Sequence, residues 1–179
     1  MQRWIALFRG INVGGNNILP MAALTGHLEA LKLQRVRTYI QSGNVVFDST
    51  SRSMGNLARR ISRRIEEHHG FRPQIFFLSA QELQAAVSGN PFPEAVSDPK
   101  TLHFAFLSET PVAPDIKALD DAKVSTEKYV ITKRVFYLHA PDGIGRSKLA
   151  MNAEKYLGVV TTGRNYRTVQ KLLEMVSEG

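Results

Sequence analysis

Thr38-Tyr39-Ile40-Gln41-Ser42-Gly43-Asn44-Val45-Val46-Phe47 is the stretch on which the fold turns. Two runs of β-branched and aromatic residues, Val36 to Ile40 and Asn44 to Phe47, flank Gln41-Ser42-Gly43, a pattern that predicts a hairpin. Upstream, the apolar residues from Trp4 to Phe8, with Arg9, stop at Gly10, which predicts a strand. Asn12-Val13-Gly14-Gly15-Asn16-Asn17 follows as a loop, because glycine and asparagine tolerate positive φ. Pro20 then opens a helix with Leu24, Leu28 and Leu31 on one face. Downstream, Leu57, Ile61 and Ile65 recur every four residues and predict a second helix, and Gln74 to Leu78 reads as a strand. The order is βαββαβ, the split βαβ or ferredoxin-like arrangement.

The order then repeats. Ser79 and Glu82 form a capping box for a helix running to about Val87. Asn90-Pro91-Phe92-Pro93 and Asp98-Pro99 cannot continue a helix or a central strand, so 91–100 is the expected linker. Beyond it come a strand from Leu102 to Leu107, a helix near Asp115 to Leu119, and strands Lys128 to Thr132 and Arg134 to His139. A helix from Ser147 to Leu157, a short strand from Val159 to Thr161, and a helix with Val169, Leu172, Leu173 and Val176 on one stripe complete it. The expectation is an α+β protein of two packed ferredoxin-like subdomains, 1–90 with a trailing helix and 101–179 with a C-terminal helix.

Composition narrows the chemistry. The chain has 179 residues, 43% of them hydrophobic, a formal net charge of +7 and no cysteine. That is globular composition, and zero cysteines exclude disulfides, thiolate nucleophiles and thiolate metal sites. No apolar run approaches the roughly 20 residues that cross a bilayer. A soluble cytoplasmic protein, monomer or homodimer, without a membrane partner is expected. Residues 1–90 carry 11 basic and 5 acidic side chains against 12 and 11 in the remainder, and Arg52, Arg59, Arg60, Arg63 and Arg64 supply much of that excess. Such a run is a candidate nucleic-acid face and equally an ordinary solvated helix surface.

Topology indicates where polar groups meet. In a βαββαβ unit the loop after the first strand and the hairpin between the second and third lie at one end. Arg9, Asn12, Gly14 and Gly15 should therefore approach Gln41, Ser42, Gly43 and Asn44. These residues would form a rim of amides, a hydroxyl and backbone N–H groups suited to an anion, or merely two tight turns. A second candidate is Asp142-Gly143-Ile144-Gly145-Arg146-Ser147-Lys148, between a strand and a helix. It lacks the Walker A order and reads as an anion-binding loop or as a connection in which Ser147 caps the helix. A third is Thr161-Thr162-Gly163-Arg164-Asn165-Tyr166-Arg167-Thr168, where Asn165 or Thr168 is a helix cap or a ligand contact and Tyr166 a base-stacking surface. The five histidines show no metal-ligand spacing, and His68 and His69, adjacent on a helix, should diverge; no metal is expected. No nucleophile-elbow motif is present.

With these segments in view, the chain resembles a bacterial family of uncharacterised proteins, domain of unknown function 1697. The likeness is carried by Ala6-Leu7-Phe8-Arg9-Gly10-Ile11-Asn12-Val13-Gly14-Gly15, by Thr38 to Phe47, by Asn90-Pro91-Phe92-Pro93, by Asp142 to Lys148 and by Arg164-Asn165-Tyr166-Arg167-Thr168-Val169. It extends over nearly the whole length, with Tyr166 where the family usually has Trp. The resemblance implies paired ferredoxin-like subdomains and implies no activity or cofactor.

Three functional readings follow. The first is a binder of a small phosphorylated or nucleotide-like anion through Arg9, Asn12, Gly14, Gly15, Gln41, Ser42, Asn44, Arg146, Ser147, Lys148, Arg164 and Asn165, whether enzyme or sensor. The second is a non-catalytic nucleic-acid-binding protein using Arg52, Arg59, Arg60, Arg63 and Arg64. The strand Ser42 to Asp48 lacks the stacking aromatics of RNA-recognition modules, so that binding would rest on phosphates. The third is a protein whose polar segments serve only its own interdomain architecture.

Overall fold

The computed structural model describes residues 1–178. Its first half contains β1 (Gln2–Arg9), α1 (Met21–Ala30), β2 (Gln34–Tyr39), β3 (Asn44–Ser49), α2 (Met54–His69), β4 (Gln74–Ser79) and α3 (Ala80–Ser88). A 3-10 turn at Pro93–Ser97 lies within the proline-rich segment. The second half contains β5 (Leu102–Leu107), α4 (Ile116–Ala122), β6 (Lys128–Ile131), β7 (Val135–His139), α5 (Lys148–Leu157), β8 (Thr161–Asn165) and α6 (Tyr166–Ser177).

The strands form two antiparallel four-stranded sheets in matching orders, β2-β3-β1-β4 and β6-β7-β5-β8. These are the orders expected of two ferredoxin-like units. By spatial grouping, one unit is Met1–Gln84 with Leu172–Gly179 and the other is Ala85–Lys171. The end of α6 thus belongs with the first sheet, which chain order alone does not suggest. Arg3 Nη1 donates to the Val176 carbonyl at 3.2 Å, and Arg37 donates to the Met175 carbonyl and, at 2.7 Å, to the Glu178 carboxylate.

In the first unit Ala6, Phe8, Val45 and Phe47 pack with Leu24 and Leu28 of α1 and with Leu57, Ile61 and Ile65 of α2. Ile5, Leu7 and Val46 on the opposite face of the sheet are buried as well. Strands buried on both faces read as continuous apolar runs rather than as alternation. In the second unit Leu107, Phe136 and Leu138 pack with Leu119 of α4 and Leu149, Ala153 and Leu157 of α5.

Helix ends follow their sequence signals. Ser53 Oγ accepts from Asn56 N–H (3.2 Å) to open α2, and Ser147 Oγ accepts from Ala150 N–H (2.9 Å) to open α5. The Ser79–Glu82 box closes reciprocally: Ser79 N–H donates to Glu82 Oε2 (2.8 Å) and Glu82 N–H to Ser79 Oγ (3.1 Å). One element departs from expectation. The last strand is Thr161–Asn165, not Val159 to Thr161. As an edge strand that pairs, among the described residues, with β5 alone, it accommodates Gly163 and the polar Arg164 and Asn165, whose composition reads as a loop.

Candidate functional site

The two loops predicted to meet in the first unit do so, through the Asn12 side chain and the packing of Gly43 on Ile11. Asn12 Nδ2 donates to the carbonyls of Leu19 (2.9 Å) and Gln41 (2.8 Å), and its Oδ1 accepts from Leu19 N–H (2.7 Å). Asn12 therefore pins the 10–19 loop to itself and to the β2–β3 turn. Asn44, fully buried, donates to the Tyr39 carbonyl (3.2 Å) and to Ser42 Oγ (2.9 Å) and shapes the same turn from within. Gly43 completes the joint. Its carbonyl accepts from Phe8 N–H (2.8 Å), and a Cβ there would lie 2.6 Å from Phe8 Cβ and 2.8 Å from Ile11 Cδ1. Between Val13 and Asn16 the chain makes a two-residue turn, with Gly14 and Gly15 at φ 57 and 78 and Asn16 N–H donating to the Val13 carbonyl (3.0 Å). Positive φ at both central positions is the type I′ requirement, which glycine meets without strain.

Positive φ concentrates in these loops at Gly10, Asn12, Gly14, Gly15, Asn17, Ile40 and Gly43. Ile40 is the exceptional one. It sits at φ 49 with its side chain 52% exposed. A β-branched residue in the left-handed region is strained, and here no burial compensates it. Val13 and Ile18 on the same rim are also exposed. Arg9, Gly14, Gly15 and Gln41 are exposed, while Ser42 is half-buried with its hydroxyl on Asn44, so of the predicted residues Asn12, Asn44 and Ser42 build the rim and the other four lie exposed on it.

The second-half candidates gather separately. β7 and β8 both run antiparallel to β5, with Leu102 opposite His139 and His103 opposite Asn165. Their C-terminal ends, and the N-termini of α5 and α6 that follow them, therefore share one end of the second sheet. Arg146 and Lys148 are exposed there, while Ser147 is buried as the α5 cap. Asn165 Oδ1 accepts from Thr168 N–H (3.0 Å) and caps α6. Arg164 Nη1 donates to Thr162 Oγ1 (3.0 Å) and to the Gly163 carbonyl (2.8 Å), and burial pulls its guanidinium down to about 10, which leaves it charged at neutral pH. Tyr166 is not a stacking surface: it is 7% exposed, with its ring 5.6 Å from that of Phe104. The aromatic position in this segment is a core residue.

The arginine run of α2 divides. Arg52, Arg59, Arg60 and Arg63 are exposed, and Arg63 donates to Glu67 at 2.8 Å. Arg64 turns inward, and its Nε is buried without a hydrogen-bond partner. His68 and His69 do not diverge as expected. His27, in the last turn of α1, bridges them, with ring centroids 4.8 Å from His68 and 5.1 Å from His69 and its Nε2 2.9 Å from His69 Nε2. Burial, followed by the charges of His68, His69 and Arg64, lowers the affinity of His27 for a proton. Among the described residues no three His, Asp or Glu side chains are placed to hold a metal ion.

Sequence reasoning also missed a buried carboxylate. Asp48 on β3, 2% exposed, accepts from Arg3 Nε (3.0 Å) and from Arg35. Burial raises its pKa, but the hydrogen bonds from Arg3 and Arg35 and their charges outweigh that and hold it below the usual range. Its position in an otherwise apolar strand, Val45-Val46-Phe47-Asp48, was the available signal.

Fold and loops together define a two-unit α+β protein with a polar, strained loop rim on its first unit. The chain belongs to the family described as "Protein of unknown function (DUF1697)", which residues 1–137 match. It is similar to a solved structure, the conserved bacterial protein SP0830 from Streptococcus pneumoniae, at 27% sequence identity and a TM-score of 0.73 over 98% of each chain. The structural likeness thus extends past residue 137 through the 142–148 loop and the 164–169 segment. No curated protein matches the chain. No helix among the described residues is long and apolar enough to cross a membrane.

Proposed function

We propose that the protein binds a small phosphorylated or nucleotide-like anion at the loop rim of its first unit. The observation that carries this reading is Ile40. An exposed β-branched residue at positive φ, flanked by the Tyr39 and Gln41 carbonyls to which Asn44 and Asn12 donate, costs stability, and such strain concentrates at functional sites. The chemistry beside it favours an anion: the exposed Arg9 guanidinium, the solvent-facing Gly14–Gly15 backbone and the Ser42 hydroxyl. The exposed side chains of Val13, Ile18 and Ile40 favour an anion that also carries a flat or apolar moiety, as a nucleotide does. Arg146 and Lys148, beside the α5 N-terminus, form a second anion-attracting cluster in the other unit.

A thermal-shift panel of inorganic pyrophosphate, ribose 5-phosphate, acetyl phosphate, AMP and ATP tests this, because a ligand bound only by the folded state raises the melting temperature. The expected result is a rise with a nucleotide that is lost in Arg9→Ala and kept in Arg146→Ala. No rise with any compound at millimolar concentration contradicts the proposal.

A further inference from the structure

Sheet edges are places where another chain can add, and proteins usually blunt them with bulges, charges or proline. The β2 edge of the first sheet is blunted in this way: its pairing with β3 shifts between Gln34 and Arg37, and Arg35 sits at φ 50. The opposite edge is not. β4, Gln74-Ile75-Phe76-Phe77-Leu78-Ser79, carries no charge and no proline, and pairs with β1 in unbroken register from Gln74 to Ser79. Among the described residues its other side has no strand partner.

A groove of about 530 Å³ runs between this edge and α2, lined by Ala58, Arg59, Ser62, Arg63 and Arg72 together with the residues Pro73 to Ile75. Ser62 Oγ donates to the Pro73 carbonyl (2.7 Å) and fixes the helix against the start of the strand. The floor is apolar, the lip holds three guanidinium groups, and no acidic side chain lines it. Arg63 and Arg72 are paired with Glu67 and Glu66 only in exposed ion pairs, which an incoming carboxylate can replace at little cost. Arg59 donates to the neutral Asn56.

We propose that the free edge of β4 accepts an extended acidic segment of a partner protein as an additional strand, its carboxylates meeting Arg59, Arg63 and Arg72. A strand alternates its side chains with a period of two. Ile75 and Phe77 face α2, so every second side chain of an added strand also turns toward α2: a segment with acidic residues at those positions brings its carboxylates to the arginine lip, its apolar residues lie beside Phe76 and Leu78 on the opposite face, and its backbone bonds to β4. The inference is independent of the anion reading.

Fluorescence anisotropy with a labelled peptide of roughly eight alternating Glu and Val residues, combined with amide hydrogen exchange, tests it. Binding should fall about tenfold or more in the Arg59→Glu, Arg63→Glu double variant, both positions being exposed and the fold verifiable by circular dichroism. The amides of β4 should exchange more slowly when the peptide is bound. The proposal is overturned by any of four results: no binding of this peptide, equal binding of a Lys–Val peptide, binding that leaves β4 exchange unchanged, or a short RNA that binds more tightly with the same arginine dependence.

Discussion

Ile40 and Gly43 stand three residues apart in one turn, both at positive φ, for opposite reasons. At Gly43 the conformation and the 2.6 Å approach to Phe8 Cβ leave room for no other residue. Gly43→Ala should cost about 3 kcal/mol of stability, from backbone strain and overpacking together, measured by urea denaturation. At Ile40 nothing local requires isoleucine, and asparagine tolerates the same backbone better. Ile40→Asn should therefore raise stability by about 1 kcal/mol while weakening any ligand held at the rim. A destabilised Ile40→Asn variant would mean that the side chain serves packing rather than function. The glycines and asparagines of this rim were legible as turn formers. What the sequence could not reveal is the division of labour among them, because the side-chain amides of Asn12, Asn44 and Gln41 read alike until the fold turns the first two onto the turn and leaves Gln41 exposed.

The elements show where periodicity suffices and where it fails. Helices with apolar residues four apart, and strands of β-branched residues, were read correctly because burial and backbone preference agree there. β8 was misplaced because an edge strand pairs on one side only and can carry Gly163, Arg164 and Asn165. The histidine contact was invisible because His27 lies 41 and 42 residues from His68 and His69 and only the packing of α1 on α2 joins them. Burial of His27, followed by the charges beside it, makes stability depend on pH. His27 binds a proton less readily when folded than its ordinary value of 6.5 implies, so the unfolded chain takes up the proton first. Stability from this group is complete above about pH 6.5 and declines as pH falls through that value toward the lower folded pKa. His27→Gln should flatten the pH dependence of the melting temperature between pH 7 and 5, roughly the window in which histidine titrates. An unchanged slope would assign it to other groups.

At the scale of the whole molecule, the doubled βαββαβ order was readable because each unit satisfies the same local rules twice, and both sheets carry the expected strand order. The grouping of Leu172–Gly179 with the first unit was not, since α6 continues without a break from β8. The net charge of +7 is likewise a poor guide at this scale. Much of the first-half excess lies on α2, where Arg63 is paired and Arg64 turned inward, whereas the proposed anion site relies on Arg9 and backbone groups. The most direct test of that site is a two-dimensional 15N–1H NMR titration of the intact protein with AMP and with inorganic pyrophosphate. The account predicts saturable shifts centred on the Gly14, Gly15 and Gln41 amides, larger with AMP than with pyrophosphate near Ile18 and Ile40. Shifts confined to residues 142–148, or none at all, would contradict it.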